Sequence, residues 1–136
     1  EAYDYVLIDS PAGLGPGFRL AVCGADRAIV VAVSDPSSLR DAQRVVTQLS
    51  QLETIHLVVN RVRPRLLRRQ NTTIDDAMDT AGLPLLGLVP EDPKVVLAAT
   101  EGRPLAQLGA RRGAVRAYEN IARRLTGQPV PLMGLR

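Results

Sequence analysis

Residues 28–33 are Ala-Ile-Val-Val-Ala-Val, an unbroken apolar run in which four of the six side chains are branched at Cβ. Such a run is typical of a strand buried on both faces, as in a parallel sheet. Three further runs have the same character: Tyr3-Asp4-Tyr5-Val6-Leu7-Ile8-Asp9, Ile55-His56-Leu57-Val58-Val59-Asn60 and Leu85-Leu86-Gly87-Leu88-Val89. None alternates strictly between apolar and polar residues, so we predict four strands of a mainly parallel sheet.

Helical periodicity separates these strands. Apolar residues recur at helical spacing in three stretches: Ala42, Val45, Val46, Leu49 and Leu52; Ile74, Ala77, Met78 and Ala81; Val115, Tyr118, Ile121, Ala122 and Leu125. Ser38 with Asp41 predicts the start of the first helix, Thr73 with Asp76 the start of the second, and Gly82 and Gly127 predict stops. We therefore predict an α/β, three-layer, doubly wound fold. Residues 1–127 form one domain in this interpretation, and residues 128–136 an extended tail.

The composition excludes several classes of protein. Hydrophobic residues make up 46% and charged residues 23%, which is typical of a globular domain rather than of a disordered chain. No apolar run approaches the ~18 residues of a membrane span. Cys23 is the single cysteine, so no internal disulfide forms and a reducing, cytoplasmic compartment fits. The net charge of +3 permits an anionic partner without requiring one.

Polar residues follow three of the predicted strands, where ligands of open parallel sheets bind. Asp9 is placed to hold Mg²⁺ directly or through water, and the turn after it brings the Gly13 N–H close to a phosphate. The alternative is that Asp9 only caps the next helix. Asn60 offers a donor and an acceptor that match an adenine edge, or it satisfies its own turn. Asp92 before Pro93 is a good helix start, whose preceding loop could still line a base pocket.

Familiar catalytic motifs are absent from these residues. Lys94 lies between two apolar neighbours, so the sequence contains no Gly-x-x-x-x-Gly-Lys-Ser/Thr motif. The glycines after residue 12 miss the dinucleotide fingerprint because Phe18 replaces the third glycine. With one His and one Cys, neither a zinc cluster nor a Cys–His pair is available.

In their order, the motifs resemble the MinD-type ATPases, within the MinD/ParA group of deviant Walker ATPases. The segment Tyr3-Asp4-Tyr5-Val6-Leu7-Ile8-Asp9-Ser10-Pro11-Ala12-Gly13 is similar to the family's switch II. Further blocks match in the same order: Gly24-Ala25-Asp26, Leu39-Arg40-Asp41-Ala42, Val59-Asn60-Arg61-Val62-Arg63-Pro64, Pro84-Leu85-Leu86-Gly87-Leu88-Val89-Pro90-Glu91-Asp92, Ile121-Ala122-Arg123-Arg124-Leu125 and Val130-Pro131-Leu132. The resemblance covers nearly the whole chain and implies the C-terminal part of a P-loop NTPase-like domain, with the phosphate-binding N-terminal part expected ahead of Glu1.

The resemblance also implies roles for individual residues. Asp9 is expected to be catalytic and to contact Mg²⁺ through water, and Gly13 to sense the γ-phosphate of ATP. Asn60 is expected to contact adenine, and the backbone of Pro90, Glu91 and Asp92 to close the base pocket. Without its P-loop, this chain alone is expected to be inactive.

Partners follow from the same resemblance. The family forms ATP-dependent homodimers, recruits the inhibitor MinC and is stimulated by a MinE-like activator. Arg40 and Asp41 fall on the helix that resembles the partner-binding surface, although Gln43 replaces an acidic residue of the family pattern. The alternative for this pair is an ordinary solvated helical turn. The parent protein is expected to be cytoplasmic and peripheral at the inner face of the cell membrane, through a helix that this sequence does not contain.

Two other functions remain open. The first is another MinD/ParA-group ATPase, for chromosome or plasmid segregation or for flagellar number. Its basic run for DNA phosphates would comprise Arg61, Arg63, Arg65, Arg68 and Arg69. We favour a solvated loop and no nucleic-acid partner, because no aromatic residue is interleaved for stacking. The second is a P-loop-less, non-enzymatic interaction module.

Overall fold

A parallel β-sheet forms the centre of the chain in a computed structural model, which describes residues 2–64, 74–108 and 112–132. Within these ranges the sheet has three strands in the order β1-β2-β3, all parallel. The strands are β1 (Arg27–Val33), β2 (Thr54–Val62) and β3 (Leu85–Pro90). The α/β class and the parallel sheet are therefore confirmed, and each of these strands lies within two residues of its predicted position.

Helices alternate with the strands along the chain. They are α1 (Pro16–Cys23), α2 (Pro36–Thr47), α3 (Ile74–Ala81), α4 (Pro93–Thr100) and α5 (Gly113–Leu125), with a short 3₁₀ helix at Leu105–Leu108. The predicted stops are confirmed, since Gly82 and Gly127 adopt positive φ angles and their amides close the last turns of α3 and α5. Thr73, predicted at the start of α3, lies outside the described residues.

Residues 3–9, predicted to form a strand, do not form one. They run as irregular, exposed chain ahead of α1, and Leu7 is 86% exposed. A strand gains its backbone hydrogen bonds only from a neighbour, and in the described part of the chain no segment pairs with this one. The prediction from the apolar pattern was wrong here because the pattern does not encode the partner.

The core lies on both faces of the sheet. Leu57 and Val59 of β2 belong to one apolar cluster, which packs against α2 and α3. Val58 belongs to a second cluster with Ala117 and Ile121 of α5 on the opposite face. Successive strand residues point to opposite faces, so three consecutive residues join two cores. Helices on both sides of a parallel sheet confirm the three-layer architecture.

Within the described ranges, strand β1 is covered on one face only, which differs from the sequence-based prediction. Val30 and Ala32 are buried in the first cluster, whereas Ile29 and Val31 on the other face are 38% and 61% exposed. The helix on that face, α5, packs against β3 and reaches β2 through Val58, but it does not extend over β1.

The start of α2 differs from the predicted one by three residues. Asp35, not Ser38, is the N-cap, and its carboxylate accepts hydrogen bonds from the amides of Ser37 and Ser38 and from the Ser37 hydroxyl. Pro36 then occupies the first helical position. The Ser38 hydroxyl oxygen accepts instead from the Val33 amide at 3.1 Å, which ties the end of β1 to the helix.

Asp35→Ala is expected to lower the free energy of unfolding by about 1 kcal/mol, because two helical amides lose their acceptor. These hydrogen bonds, led by the one from the Ser37 hydroxyl, hold the pKa of Asp35 below its usual value. The contribution is therefore complete at neutral pH and is lost as the pH falls through the pKa of the folded state. Urea unfolding at neutral and acidic pH measures both effects. A loss for Asp35→Ala that is equally large in acid would contradict the assignment.

Arg124, near the end of α5, fastens the following segment to the sheet. Its guanidinium donates to the carbonyls of Leu86 at 2.5 Å, Val130 at 2.8 Å and Pro131 at 2.5 Å. Leu86 lies at a register shift, since Leu57 and Val58 pair with residues 85 and 87. Residues 128–132 form neither helix nor strand. Arg124 thus satisfies a carbonyl at an irregular point of β3 and sets the path of the chain after α5.

Among the residues that the structure describes, no helix is both long and apolar enough to cross a membrane.

Candidate functional site

Four of the predicted site residues, Asn60, Pro90, Glu91 and Asp92, lie where β2 and β3 end. Beyond Val59 the pairing of β2 with β3 becomes irregular, and Val62 is the residue that pairs with Pro90. Arg61, within this irregularity, has a φ of 51°, which is uncommon for a residue other than glycine. The Asn60 side chain accepts a hydrogen bond through Oδ1 from the Arg61 amide at 2.9 Å. Asn60 therefore stabilises its own turn, the alternative reading of this residue, and its oxygen retains a second lone pair.

Glu91 connects the two strand ends. Its amide donates to the Val62 carbonyl at 3.0 Å. Its carboxylate accepts from both Arg63 Nε and Arg63 Nη2, the latter at 2.6 Å, and from Arg61 Nη2 at 3.2 Å. A two-pronged pairing of one guanidinium with one carboxylate fixes orientation as well as distance. Backbone and side chain of Glu91 are thus both attached to the end of β2.

The contacts among Arg61, Arg63 and Glu91 stabilise the charged forms of Glu91 and Arg63. Hydrogen bonding from Arg63, with a smaller contribution from Arg61, holds the pKa of Glu91 below its usual range. The same hydrogen bond raises the pKa of Arg63. Glu91 is therefore ionised at neutral pH, and two cations of the run that we considered for DNA are engaged by one carboxylate. Arg65, Arg68 and Arg69 lie outside the described residues.

Asp92 fixes the other side of the same loop. One carboxylate oxygen accepts from the Lys94 amide at 3.0 Å, which confirms the predicted N-cap of α4. The other oxygen accepts from the Ala114 amide in the first turn of α5 at 3.1 Å. Gly113, with a φ of 57°, leaves the room for this contact, since a Cβ there would collide with the carboxylate. The loop 90–92 is therefore attached to β2, α4 and α5.

Asp9 and Gly13 lie in a different segment. Both are exposed in the irregular chain ahead of α1. Gly13 has a φ of 83° and nothing within 4 Å of a Cβ position, so its backbone is open to an approaching group. The described residues contain no group of three or more His, Cys, Asp and Glu side chains arranged for a metal. Mg²⁺ needs fewer, because it keeps several waters and uses one or two carboxylates with substrate phosphates. A single exposed Asp9 carboxylate fits that chemistry.

Arg40 and Asp41 are exposed on α2, at positions open to a partner. Asp41 pairs with Arg44 one turn later at 3.1 Å, and both side chains are largely in solvent. Exposed pairs of this kind contribute little to stability. The exposure of Arg40 and Asp41 is therefore compatible with a partner-binding surface and also with an ordinary solvated helical turn.

A groove of about 220 Å³ lies between α1 and the residues after α2, away from the predicted site. It is lined by Leu14, Phe18, Arg19, Val22, Cys23, Gln48 and Gln51. None of the predicted site residues lines it. We place the candidate site at the strand ends instead, because charged and amide groups of separate elements converge there.

Sequence reasoning missed the roles of Arg61, Arg63 and Gly113. The two arginines were grouped with a basic run, although an acidic residue directly after the next predicted strand was the available signal for a pair. Gly113 had no local signal, because its need for a small residue comes from Asp92, 21 positions earlier in the chain.

Several known proteins with similar sequences are septum site-determining proteins. No protein-family model matches the chain. The septum site-determining protein MinD of Bacillus subtilis is 43% identical over 139 residues, covering 99% of this chain and 52% of its own length. MinD of Synechocystis is 38% identical over 136 residues, covering 98% of this chain and 51% of its own length.

Solved structures lead to the same group. The MinD cell division protein of Aquifex aeolicus has a TM-score of 0.89 at 36% identity, over 97% of this chain and 57% of its own. MinD in the Aquifex aeolicus MinC:MinD complex has a TM-score of 0.90 at 36% identity, over 97% of this chain and 55% of its own. MinD of Pyrococcus horikoshii, complexed with Mg-ADP, has a TM-score of 0.79 at 28% identity, over 91% of this chain and 51% of its own. In sequence and in fold the chain is therefore MinD-like, and it spans about half the length of the curated relatives that it matches.

Proposed function

We propose that this chain is the C-terminal part of a MinD-type protein that binds and hydrolyses ATP and regulates the placement of the division site. The observation that carries the proposal is the 43% identity over 99% of the chain to a septum site-determining protein. The fold supports it, since the strand ends gather polar groups where open parallel sheets bind ligands.

The base of the nucleotide would lie against the ends of β2 and β3. Asn60 would contact adenine, and the backbone of Pro90, Glu91 and Asp92 would close the pocket. The attachment of this loop to three elements supports the role, because a binding loop with a fixed backbone loses little entropy when a ligand arrives. The Mg-ADP in a MinD structure that resembles this chain supports the same ligand class.

Asp9 and Gly13 would act at the phosphate end. Asp9 would orient the attacking water and hold Mg²⁺ through a second water, and the Gly13 amide would contact the γ-phosphate. Mg²⁺ itself would neutralise charge on the phosphate oxygens. Support comes from the chemistry of the residues: an exposed carboxylate, and a glycine with an unobstructed backbone.

Partners are proposed for the exposed surface of α2. Arg40 and Asp41 would contact a MinC-like inhibitor, and the similarity of this chain to MinD in a solved MinC:MinD complex supports this proposal. An ATP-dependent homodimer, a MinE-like activator and peripheral attachment of a cytoplasmic protein to the inner face of the membrane rest on the family resemblance alone.

Asp9→Ala in the full-length gene product is expected to lower the rate of ATP hydrolysis about 100-fold or more, because the attacking water loses its orienting group. Phosphate release measures the rate, and circular dichroism checks the fold. Asp4→Ala is the matched control, since Asp4 is exposed in the same segment. Unchanged hydrolysis in Asp9→Ala would remove Asp9 from the mechanism, and no hydrolysis by the unmodified protein would refute the ATPase.

A further inference from the structure

The cluster of Arg61, Arg63 and Glu91 lies at the surface, where ion pairs contribute little to stability. The side chains of Arg61 and Arg63 are 65% and 54% exposed, and that of Glu91 is 36% exposed. Exposed pairs of this kind contribute little to stability, because solvent and salt screen them. A contribution to folding therefore does not account for the arrangement.

The backbone at Arg61 is the second observation. A left-handed conformation is unfavourable for a residue that carries a Cβ, because the Cβ crowds the following carbonyl oxygen. Strained residues of this kind persist where the surrounding structure over-determines them, and they cluster at binding sites. Here the strained residue lies in the irregularity between β2 and β3, and such irregularities redirect side chains. Its guanidinium reaches the carboxylate that Arg63 also holds.

We propose that Arg61 and Arg63 are positioning residues, which set the base-binding loop 90–92 by holding the Glu91 carboxylate. The inference rests on the proposed function, because it assigns the loop a base to contact. The Glu91 amide is bound to Val62 of β2, and its carboxylate is bound to Arg63 directly after β2, so the loop keeps a fixed position relative to Asn60. Asp92 fastens the loop's far end. The two arginines thereby set the width of the pocket between the Asn60 carboxamide and the loop backbone.

The test is nucleotide binding to the full-length gene product, measured by calorimetry with ADP and with GDP in the presence of Mg²⁺. Arg63→Gln is expected to raise the Kd for ADP about three- to tenfold and to reduce the preference for ADP over GDP, because the loop contacts the base. Arg63→Lys keeps the charge and loses the two-pronged contact. Its Kd for ADP is expected to lie between those of the unmodified protein and Arg63→Gln. The melting temperature is expected to change little in either variant.

Arg103→Gln is the matched control. Arg103 pairs with Glu101 at 3.5 Å, with exposures of 52% and 38%, and lies after α4 rather than at the strand ends. Its ADP affinity and base preference are expected to match the unmodified protein. Added salt is a second readout: it should weaken the base preference of the unmodified protein toward that of Arg63→Gln, because exposed pairs are screened.

The outcomes separate the two proposals. No binding of ADP by the unmodified protein would overturn the proposed function and this inference with it. Tight ADP binding that Arg63→Gln leaves unchanged, or that Arg103→Gln weakens equally, would overturn the positioning role alone.

Discussion

Gly113→Ala is expected to lower the free energy of unfolding by about 2–4 kcal/mol, the sum of two effects. The left-handed backbone, with a φ of 57°, costs an alanine roughly 1–2 kcal/mol. The new Cβ would also collide with the Asp92 carboxylate, which caps α4 and accepts from the Ala114 amide. Displacing that carboxylate removes a cap worth about 1 kcal/mol and strands a part-buried amide.

Gly102→Ala is the control that measures the first effect, the cost of the left-handed backbone, by itself. Gly102 has a φ of 62°, close to that of Gly113, but nothing lies within 4 Å of its Cβ position. It is expected to lose only the backbone share, about 1–2 kcal/mol. Urea unfolding of Gly113→Ala and Gly102→Ala, compared at constant m-value, gives the difference between their losses in the free energy of unfolding, which is the cost of the collision with Asp92. Equal losses would mean that Asp92 tolerates the methyl group and that the bridge to α5 is dispensable.

Leu57→Ala is expected to lower the free energy of unfolding by about 2–5 kcal/mol. Leu57 is fully buried in the middle of the central strand and belongs to the cluster under α2 and α3. Its removal leaves a cavity that two helices and two neighbouring strands border, so little of it can collapse. Asn60 lies near the end of the same strand, and we expect nucleotide affinity to fall along with stability.

Leu20→Ala is the control for this variant. Leu20 lies on α1 and is 77% exposed, so its truncation is expected to stay within about 0.5 kcal/mol of the unmodified protein. Denaturant midpoints compare the two. A loss below 1 kcal/mol for Leu57→Ala would contradict the assignment of the core to this face of the sheet.

The sequence predicted those parts of the fold that depend on local pattern. Continuous apolar runs gave β1, β2 and β3 within two residues, and glycines marked the ends of α3 and α5. Asp92 before Pro93 gave the start of α4. These elements have in common that their signal lies within a few neighbouring residues.

Other features depend on contacts that are distant in sequence. The apolar residues 3–8 have the composition of a strand, but a strand also needs a neighbour. Helix α1 was hidden among glycines, although Pro16 at its first position was a start signal. At the site, Arg63 and Glu91 are 28 residues apart, so no local spacing showed the pair.

The candidate site divides in the same way. Asn60 and the loop 90–92 were predicted from strand ends, and the structure brings those ends together. The roles of all these residues remain predictions, and Asp9 and Gly13 lie in the irregular segment ahead of α1. Their convergence with the other residues is the part of the proposal that the Asp9→Ala experiment addresses.

The grip of Arg124 on three carbonyls also determines how the chain bears a mechanical load. Tension on residues 128–132 passes through the carbonyls of Val130 and Pro131 into the guanidinium. From the guanidinium the force reaches α5, to which Arg124 belongs, and it reaches β3 through the hydrogen bond to the Leu86 carbonyl. A force applied to residues 128–132 is thus distributed between α5 and the sheet, instead of acting on the last turn of α5 alone.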